Sequence, residues 1–466
     1  MDATARTTDR IAFALPALIA FAFAALAPQV LGDGDSWWHV RAGEWILDHR
    51  AVPLTDPFSY TFAGKDWHAH EWLAEVLYAL AYRAAGWSGV SLLAGAAVGL
   101  TTGLLFQWLA RRVSMIAALL AVMLAFTCIA PGMLARPHLL SLPLIVLWLR
   151  LLIDARTADR APHLGWLPLI VVWAYLHGSV LFAVGLIGFF ALEALVEEGA
   201  DRARVIRQWG LFGIGAGLAT LLTPRGVEGV VFLVQLTQMQ GLAEITEWRP
   251  ADFTKPGGLE LLLLAGLFIL LLRGVKIAPL RLLLLLVLLH MTLQHQRHQM
   301  LLALAGVMIA CDAIGQMTPL SPPARKVPSW ALPAIGIVFA LVVVVRLALP
   351  ASVRETATAP ASAFAHVPAD LLAQPVLNGY DSGGFLIGQG VKPFIDGRTD
   401  LYGDAFVARY RGIIDARPGE LEKVLAEYSV AWTFLPSDSA AAARLDTLPG
   451  WRRVYRDKLV TVHVRQ

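Results

Sequence analysis

The sequence has little charge and almost no cysteine. Only 16% of the 466 residues are charged, whereas an average soluble domain has about 25%. The two cysteines, Cys128 and Cys311, both lie inside apolar runs. The chain can therefore build neither a disulfide framework nor a metal–thiolate site. The formal net charge of +3 gives no bulk attraction to nucleic acid, so we expect no nucleic-acid partner.

The common motifs of nucleotide-dependent enzymes and serine hydrolases are also missing. The sequence contains no P-loop, no Rossmann glycine fingerprint and no serine nucleophile elbow. What it has instead is apolar residues, which make up 57% of the chain. They come in runs long enough to cross a bilayer, which takes about 20 residues per helix. The sequence predicts an α-helical polytopic membrane protein.

We predict about eleven transmembrane helices. Two neighbouring pairs are short and nearly contiguous, and they meet at His177-Gly178 and at His295 to His298. Merging either pair into one span would reverse the orientation of everything that follows. The predicted spans are 11–31, 88–110, 115–134, 137–153, 164–177, 178–197, 208–223, 257–273, 277–293, 298–315 and 329–349.

Basic residues favour one orientation. Cytoplasmic loops carry an excess of Lys and Arg, which predicts a cytoplasmic N-terminus and a periplasmic C-terminal segment in a bacterial inner membrane. The first apolar run lacks a clear cleavage site, so we interpret it as a retained helix rather than a signal peptide. The basic residues assigned to the cytoplasmic side are Arg111, Arg112, Arg156, Arg160, Arg202, Arg204, Arg207, Arg273, Lys276, Arg281, Arg325 and Lys326.

Two regions are predicted to lie outside the membrane. Within the transmembrane domain (1–350), residues 32–87 form a large first periplasmic loop, and its stretch 71–87 resembles a helix at headgroup level. Residues 351–466 form a small C-terminal periplasmic α/β domain. Short apolar runs predict its strands and two polar–apolar stretches its helices. The strands are expected at 374–377, 384–387, 392–395, 431–435 and 459–464, and the helices at 406–415 and 419–428.

On this topology the outer membrane face collects the ionisable residues. Such residues at the membrane edge are costly and mark functional sites. Asp33 and Asp35 follow the first span. They could cap the next helix, bind a divalent cation such as Mg²⁺ or Mn²⁺, or act in base chemistry. The other candidates are His39, Asp56, His68, His70, Glu71, Arg136, His138, His177, Glu244, Glu247, His295, Arg297 and His298.

Several of these candidates have a structural alternative. Asp56 before Pro57 is also typical of a turn. His68, His70 and Glu71 lack a complete set of metal partners, so hydrogen bonding at the interface is the favoured role. Glu244 and Glu247 could instead pair with Arg249 as an ionic network at the rim of the site.

The basic candidates favour a phosphate ligand. Arg136 and His138 follow the end of a span, where a snorkelling arginine and a phosphate contact are equally compatible. His295, Arg297 and His298 lie between two apolar helices, and a guanidinium recognises phosphate bidentately. A lipid phosphate that carries a sugar fits this set of residues. Its tail would lie among the helices and its sugar would reach the acidic loop.

The motifs resemble those of the GT-C superfamily of integral-membrane glycosyltransferases. That superfamily includes protein O-mannosyltransferases, oligosaccharyltransferase catalytic subunits and lipid A aminoarabinose transferases. The resemblance extends over most of the chain and is nearest to a group of bacterial GT-C-like membrane proteins. It rests on Asp35–His39, Pro53–Thr61, Glu71–Leu73, Arg136–His138, Trp173 with His177-Gly178, Glu247-Trp248, Asn378–Tyr380, Gly383–Leu386 and Phe394–Tyr402.

The resemblance implies an inverting transfer of a sugar from a polyprenyl-phosphate donor to a lipid, glycan or protein acceptor. Asp35 first, and Asp33 second, would be the general base, a role that contributes about 10²–10⁴-fold. Arg297 and His298 would stabilise the departing phosphate. The chain has Tyr175 two residues before the His-Gly pair, where the resembling proteins tend to carry Asn. The resemblance leaves a metal requirement open.

Two further questions stay open in the sequence. Asp396 and Arg398 follow a predicted strand, where they could form an internal salt-bridge turn or recognise the acceptor. The chain could also be a non-catalytic scaffold or accessory subunit of envelope-polysaccharide assembly, or a transporter. A transporter typically shows inverted repeats, and none is detectable in the sequence.

Overall fold

The computed structural model describes residues 3–197, 201–239, 246–317 and 328–466. Glu244, Arg325 and Lys326 lie outside these residues. Thirteen helices precede the C-terminal domain in the described part of the chain. They are α1 (Ala3–Leu26), α2 (Asp35–His49), α3 (Trp72–Leu109), α4 (Met115–Ile129), α5 (Pro137–Thr157), α6 (Leu167–Leu176), α7 (Val180–Glu197), α8 (Arg202–Thr220), α9 (Val227–Leu236), α10 (Gly258–Leu272), α11 (Pro279–Gln294), α12 (Gln299–Met317) and α13 (Ala331–Ala348).

The helices identify a membrane protein but do not confirm eleven spans. Within the described residues, seven helices are long and apolar enough to cross a membrane, namely those at 9–26, 72–109, 115–132, 137–157, 180–197, 296–317 and 331–348. Three more predicted spans coincide with the shorter apolar helices at 164–176, 258–272 and 279–294. The remaining one falls in α8, which has arginines in its first turns.

Helix α3 consists of two segments, and α2 packs against the first. The backbone leaves the helical conformation at Ala85 and Gly86, where Gly86 has a φ of 55°. Residues 72–84 therefore form a helix of their own, in agreement with the predicted amphipathic stretch. Gly43 of α2 lies so close to the main chain of Glu75 that a Cβ there would overlap its carbonyl oxygen. This close approach fixes how α2 packs against the first segment of α3.

The C-terminal domain contains a four-stranded sheet. The strand order is β1-β2-β4-β3; β1 pairs with β2 in parallel, and the other pairs are antiparallel. The elements are α14 (Ala361–Phe364), β1 (Val376–Asn378), α15 (Gly383–Gly388), α16 (Thr399–Ile414), α17 (Glu420–Glu427), β2 (Trp432–Pro436), α18 (Ala440–Leu445), β3 (Trp451–Arg456) and β4 (Val460–Arg465).

Most of the predicted elements of this domain are confirmed, and two strands are wrong. The strands at 374–377, 431–435 and 459–464 and both helices are present, whereas β3 was not predicted. Residues 384–387 form a helix instead of a strand. Residues 392–395 form no strand; Phe394 and Ile395 are apolar because they are buried in a core beneath the sheet. A short apolar run has the same appearance in a strand and in a buried loop.

The first loop and the C-terminal domain share one core. Trp38 and Trp67 of the loop pack in the same buried cluster as Leu377, Phe394 and Tyr402. Burial of large aromatic side chains is a major source of packing stability. The loop is therefore enclosed between the helical bundle and the domain, and its polar residues face both.

Candidate functional site

Arg136 lies at the centre of a group of carboxylates. Its Nη2 lies 3.1 Å from Asp35 Oδ2, and its Nη1 lies 3.5 Å from Asp33 Oδ2 and 3.2 Å from Glu247 Oε2. The main chain of Arg136 is also held, because Tyr78 donates a hydrogen bond of 2.9 Å to its carbonyl oxygen. Three separate segments of the chain, those of Asp33 and Asp35, of Arg136 and of Glu247, thus meet at one guanidinium.

Glu247 extends this ionic group to Arg297. Its Oε1 lies 3.7 Å from Arg297 Nη1, and the Arg297 guanidinium stacks 4.2 Å above the ring of Trp248. Burial favours the neutral form of Glu247, but Arg136 and Arg297 outweigh burial and lower its pKa to about 2. His295 is oriented by a 2.6 Å hydrogen bond between Nδ1 and the carbonyl oxygen of Trp248.

Asp35 is the first residue of α2, and its environment favours the neutral carboxyl. Burial raises its pKa from 3.8 to about 7, and the neighbouring Asp33 and Glu247 act in the same direction. Arg136 and a hydrogen bond of 3.0 Å from Trp38 Nε1 to Oδ1 oppose the rise. A carboxylate that titrates near neutral pH suits general-base catalysis.

Glycines bring the C-terminal domain onto the Asp35 segment. A Cβ at Gly397 would overlap Asp35 Oδ1, and one at Gly384 would overlap the carbonyl oxygen of Gly34. At Gly34, a Cβ would lie 2.6 Å from the carbonyl oxygen of Asp381. The domain thus covers one side of Asp35 directly, while 17% of the Asp35 side chain stays exposed.

The two aspartates do not fit a divalent cation in this arrangement. Asp33 Oδ1 accepts a hydrogen bond of 2.7 Å from the backbone N–H of Asp35, the first residue of α2, and the other oxygens of the two aspartates face Arg136 and Trp38. An ion about 4 Å from the guanidinium would meet a repulsion of about 8 kcal/mol at an effective dielectric constant of about 20. In the described part of the chain, no group of three or more His, Cys, Asp or Glu is arranged to hold a metal ion.

A second group of polar residues surrounds Glu71. Its Oε1 lies 3.4 Å from His177 Nε2 and 3.8 Å from His70 Nε2. Burial raises the pKa of Glu71 and lowers that of His177 well below its ordinary value. His138 belongs to the same wall, and its ring lies 6.4 Å from that of His177. Its Nε2 contacts the carbonyl oxygen of Gly132 at 2.8 Å.

Next to this group is a small acidic cavity that contains residues not predicted from the sequence. Glu75 and Asp400 line it together with Glu71, His70 and Trp38, and it has an empty volume of about 190 Å³. The Glu75 side chain is 1% exposed, and its Oε2 has no hydrogen-bond partner. The sequence signal that could have identified Glu75 is its position inside the predicted amphipathic helix. A carboxylate that is buried there without a partner is costly.

His39 lies beside Glu75 and is equally buried. Its Nδ1 is 3.7 Å from Glu75 Oε1, which exceeds hydrogen-bond distance, and it has no other partner. Burial lowers the pKa of His39 well below its ordinary value. The residue is therefore a neutral side chain behind the cavity wall.

A larger and mostly apolar cavity adjoins the acidic one at His68 and His70. It has an empty volume of about 550 Å³ and is walled by α6, α7, α8, α9 and the first loop. His68 stacks on Phe232 with ring centroids 4.4 Å apart. The Nε1 of Trp72 and the Nε of Arg225 line this cavity without hydrogen-bond partners. Such a space suits an apolar chain with a polar end.

For Asp56, Asp396 and Arg398, the sequence left a role in the substrate cavity and a structural role open. Their side chains are fully buried in one ion-pair network, which corresponds to the structural alternative and not to the wall of a cavity. Arg398 donates hydrogen bonds of 2.7 Å to Asp56 Oδ1 and of 2.8 and 2.7 Å to the oxygens of Asp396. Asp56 also accepts the backbone N–H groups of Phe58 and Ser59, so the turn interpretation was correct. The network joins the first loop to the C-terminal domain.

The other predicted site residues that the structure describes come together near the ends of helices. Arg136 directly contacts the acidic loop, a contact that the sequence could not reveal. His298 is half-buried and packs against Phe182 at the edge of the group. The residues that converge are Asp33, Asp35, His39, His68, His70, Glu71, Arg136, His138, His177, Glu247, His295, Arg297 and His298.

Comparisons with known proteins give a fold but no family assignment. No family model matches the sequence, and no curated protein matches it. Among solved structures, the chain is similar to the apo form of the oligosaccharyltransferase of Archaeoglobus fulgidus, with a TM-score of 0.54 and 12% identity. The match covers 91% of this chain and 69% of the archaeal one. The chain therefore shares the fold of that oligosaccharyltransferase.

Proposed function

We propose that this protein is a membrane glycosyltransferase that transfers a sugar from a polyprenyl-phosphate-linked donor to an acceptor at the outer membrane face. The observation that carries the proposal is the pairing of Asp35, whose pKa is about 7, with the Arg136 guanidinium 3.1 Å away. A displacement requires a base for the acceptor hydroxyl and positive charge for the departing phosphate, and both kinds of group are present here. The shared GT-C-type fold supports the same reaction class.

The reaction is a single displacement at the anomeric carbon. Asp35 takes the proton of the acceptor hydroxyl, and the acceptor oxygen forms a bond to the anomeric carbon. The bond from that carbon to the donor phosphate oxygen breaks, and its electron pair stays on the lipid phosphate. One displacement inverts the anomeric configuration. Asp33 holds Asp35 in place by accepting its backbone N–H.

The basic residues bind the departing phosphate in this proposal. Arg136 and Arg297 are 22% and 27% exposed, so each guanidinium can be reached from outside. Guanidinium groups bind phosphate oxygens in a bidentate manner and keep their charge at all relevant pH values. His295, His298 and His138 complete this side, and no step of the proposal passes through a metal ion.

The cavities supply space for the substrates. The apolar cavity near His68 and His70 accommodates the first units of a lipid chain, and the acidic cavity at Glu71 accommodates polar hydroxyl groups. Trp38 and Trp67 border the acidic cavity, and carboxylates beside aromatic rings are suited to sugar contacts. In the proposed orientation the N-terminus is in the cytoplasm, and the C-terminal domain covers the site on the periplasmic side of the bacterial inner membrane.

The test is turnover by the purified protein in lipid nanodiscs. A panel of polyprenyl-phosphate sugars is supplied with a mixture of lipid, glycan and peptide acceptors, and released polyprenyl phosphate is measured. We expect release by the wild type and by Asp48→Asn, a control on the same helix whose side chain is 62% exposed. We expect none above background from Asp35→Asn. Absence of turnover by folded wild-type protein across the panel would refute the proposed transferase activity and favour the non-catalytic scaffold.

A further inference from the structure

Three carboxylates from two segments of the chain surround one position, and an arginine side chain occupies it. Asp33, Asp35 and Glu247 have oxygens 3.5, 3.1 and 3.2 Å from the terminal nitrogens of Arg136. Three converging carboxylates are the usual surroundings of a hard divalent cation. Here their shared partner is a side chain of the same polypeptide.

The position of this guanidinium is fixed by the fold. Arg136 immediately precedes Pro137, the first residue of α5. The carbonyl oxygen of Arg136 accepts a hydrogen bond from the Tyr78 hydroxyl. The two aspartates are fixed as well, because Asp33 accepts a hydrogen bond from the backbone N–H of Asp35 and Asp35 accepts one from Trp38 Nε1. The ionic group is thus assembled before any ligand arrives.

Charge balance within the group is nearly complete without a metal. The three carboxylates face Arg136, and Glu247 is shared with Arg297 at 3.7 Å. A divalent ion at the centre would have to displace the guanidinium, because like charges repel strongly in a partly buried setting. The guanidinium nevertheless stays accessible, with 22% of the Arg136 side chain exposed.

We propose that Arg136 is a built-in cation that takes the place of a divalent metal at this site. Its single positive charge balances part of the charge of the three carboxylates, and it presents that permanent charge to the phosphate end of the ligand. The nature of that ligand rests on the proposed function, whereas the substitution of a side chain for a metal does not. The expected consequence is a site that neither binds nor requires a divalent cation.

Binding of Mn²⁺ tests the substitution without any substrate. Isothermal titration and electron paramagnetic resonance are applied to the metal-stripped wild type, to Arg136→Ala and Arg136→Gln, and to the control Arg83→Ala. Arg83 pairs with Asp48 on the surface, and its side chain is 43% exposed. We expect no site tighter than about 1 mM in the wild type and the control. Loss of the guanidinium frees the carboxylates, so Mn²⁺ should bind each Arg136 variant at least about tenfold more tightly.

Two results would overturn the proposal. The first is tight Mn²⁺ binding by the wild type that disappears in Asp35→Asn, which would make the carboxylates a metal site beside the arginine. The second is the absence of any gain in both Arg136 variants, provided that circular dichroism and gel filtration show folded protein. Arg136→Gln preserves most of the side-chain volume and guards against a packing defect.

A turnover arm separates this inference from the proposed function. If a donor is found, we expect EDTA to leave wild-type turnover unchanged, and inhibition that Mn²⁺ reverses would contradict a built-in cation. If no donor turns over, the proposed function fails, but the Mn²⁺ titrations still decide the role of Arg136.

Discussion

Replacing Asp35 by Asn should change how stability depends on pH. The folded carboxyl keeps its proton up to about pH 7, whereas an ordinary one, as in the unfolded chain, loses it near 3.8. Between these pH values the unfolded state binds fewer protons than the folded state, so the wild type loses stability as pH rises. Each pKa unit corresponds to about 1.4 kcal/mol, which gives a total loss of about 4 kcal/mol. Above pH 7 the loss stays constant.

The asparagine variant has no proton to lose at this position. Its free energy of unfolding relative to wild type should therefore rise by about 4 kcal/mol between pH 4 and pH 7. Denaturation midpoints in detergent micelles, recorded from pH 4 to pH 8, measure this difference. Asp48→Asn, which changes a largely exposed aspartate on the same helix, is measured beside it as the control. A difference for Asp35→Asn that does not change between pH 4 and pH 7 would refute a buried carboxyl that titrates near 7.

Three further predictions concern geometry, binding and packing. Gly397→Ala should reduce turnover by about 10²-fold. Its new methyl group overlaps Asp35 Oδ1, and a displacement of a catalytic group by about 1 Å has an effect of that size. The control Gly306→Ala has open space around its Cβ position and should keep full turnover. Arg297→Ala should raise the dissociation constant of the donor, measured by equilibrium binding, without loss of folded protein. Arg398→Met should lower the free energy of unfolding by about 3–5 kcal/mol, because it leaves two buried carboxylates without a cationic partner. The control Arg409→Met breaks a half-exposed ion pair and should lower it by less than about 1 kcal/mol.

Each of these predictions has an outcome that contradicts it. Full turnover in Gly397→Ala would mean that the domain does not constrain Asp35. An unchanged donor affinity in Arg297→Ala would remove that residue from the phosphate site. Equal melting temperatures for Arg398→Met and Arg409→Met would mean that the buried network adds nothing to the junction between loop and domain.

Much of the fold could be predicted because its signals are local. Apolar runs and basic residues define most of the helices and the expected orientation, since the bilayer acts on each segment by its own composition. The domain was harder, because short runs such as 384–387 and 392–395 are apolar through packing rather than strand pairing. Their burial depends on contacts with the first loop, and nothing in their own sequence records those contacts.

The sequence alone determined the residue types of the site and their placement near the ends of helices. Asp35, Glu71 and Arg297 were recognisable because polar residues beside apolar spans are costly and therefore conspicuous. Only the tertiary structure decided their partners. In the structure Arg136 lies among three carboxylates, Arg398 is buried in an ion-pair network, and Glu75 lines a cavity. Pairing depends on distances between segments far apart in the chain, and the composition of a single segment does not contain those distances.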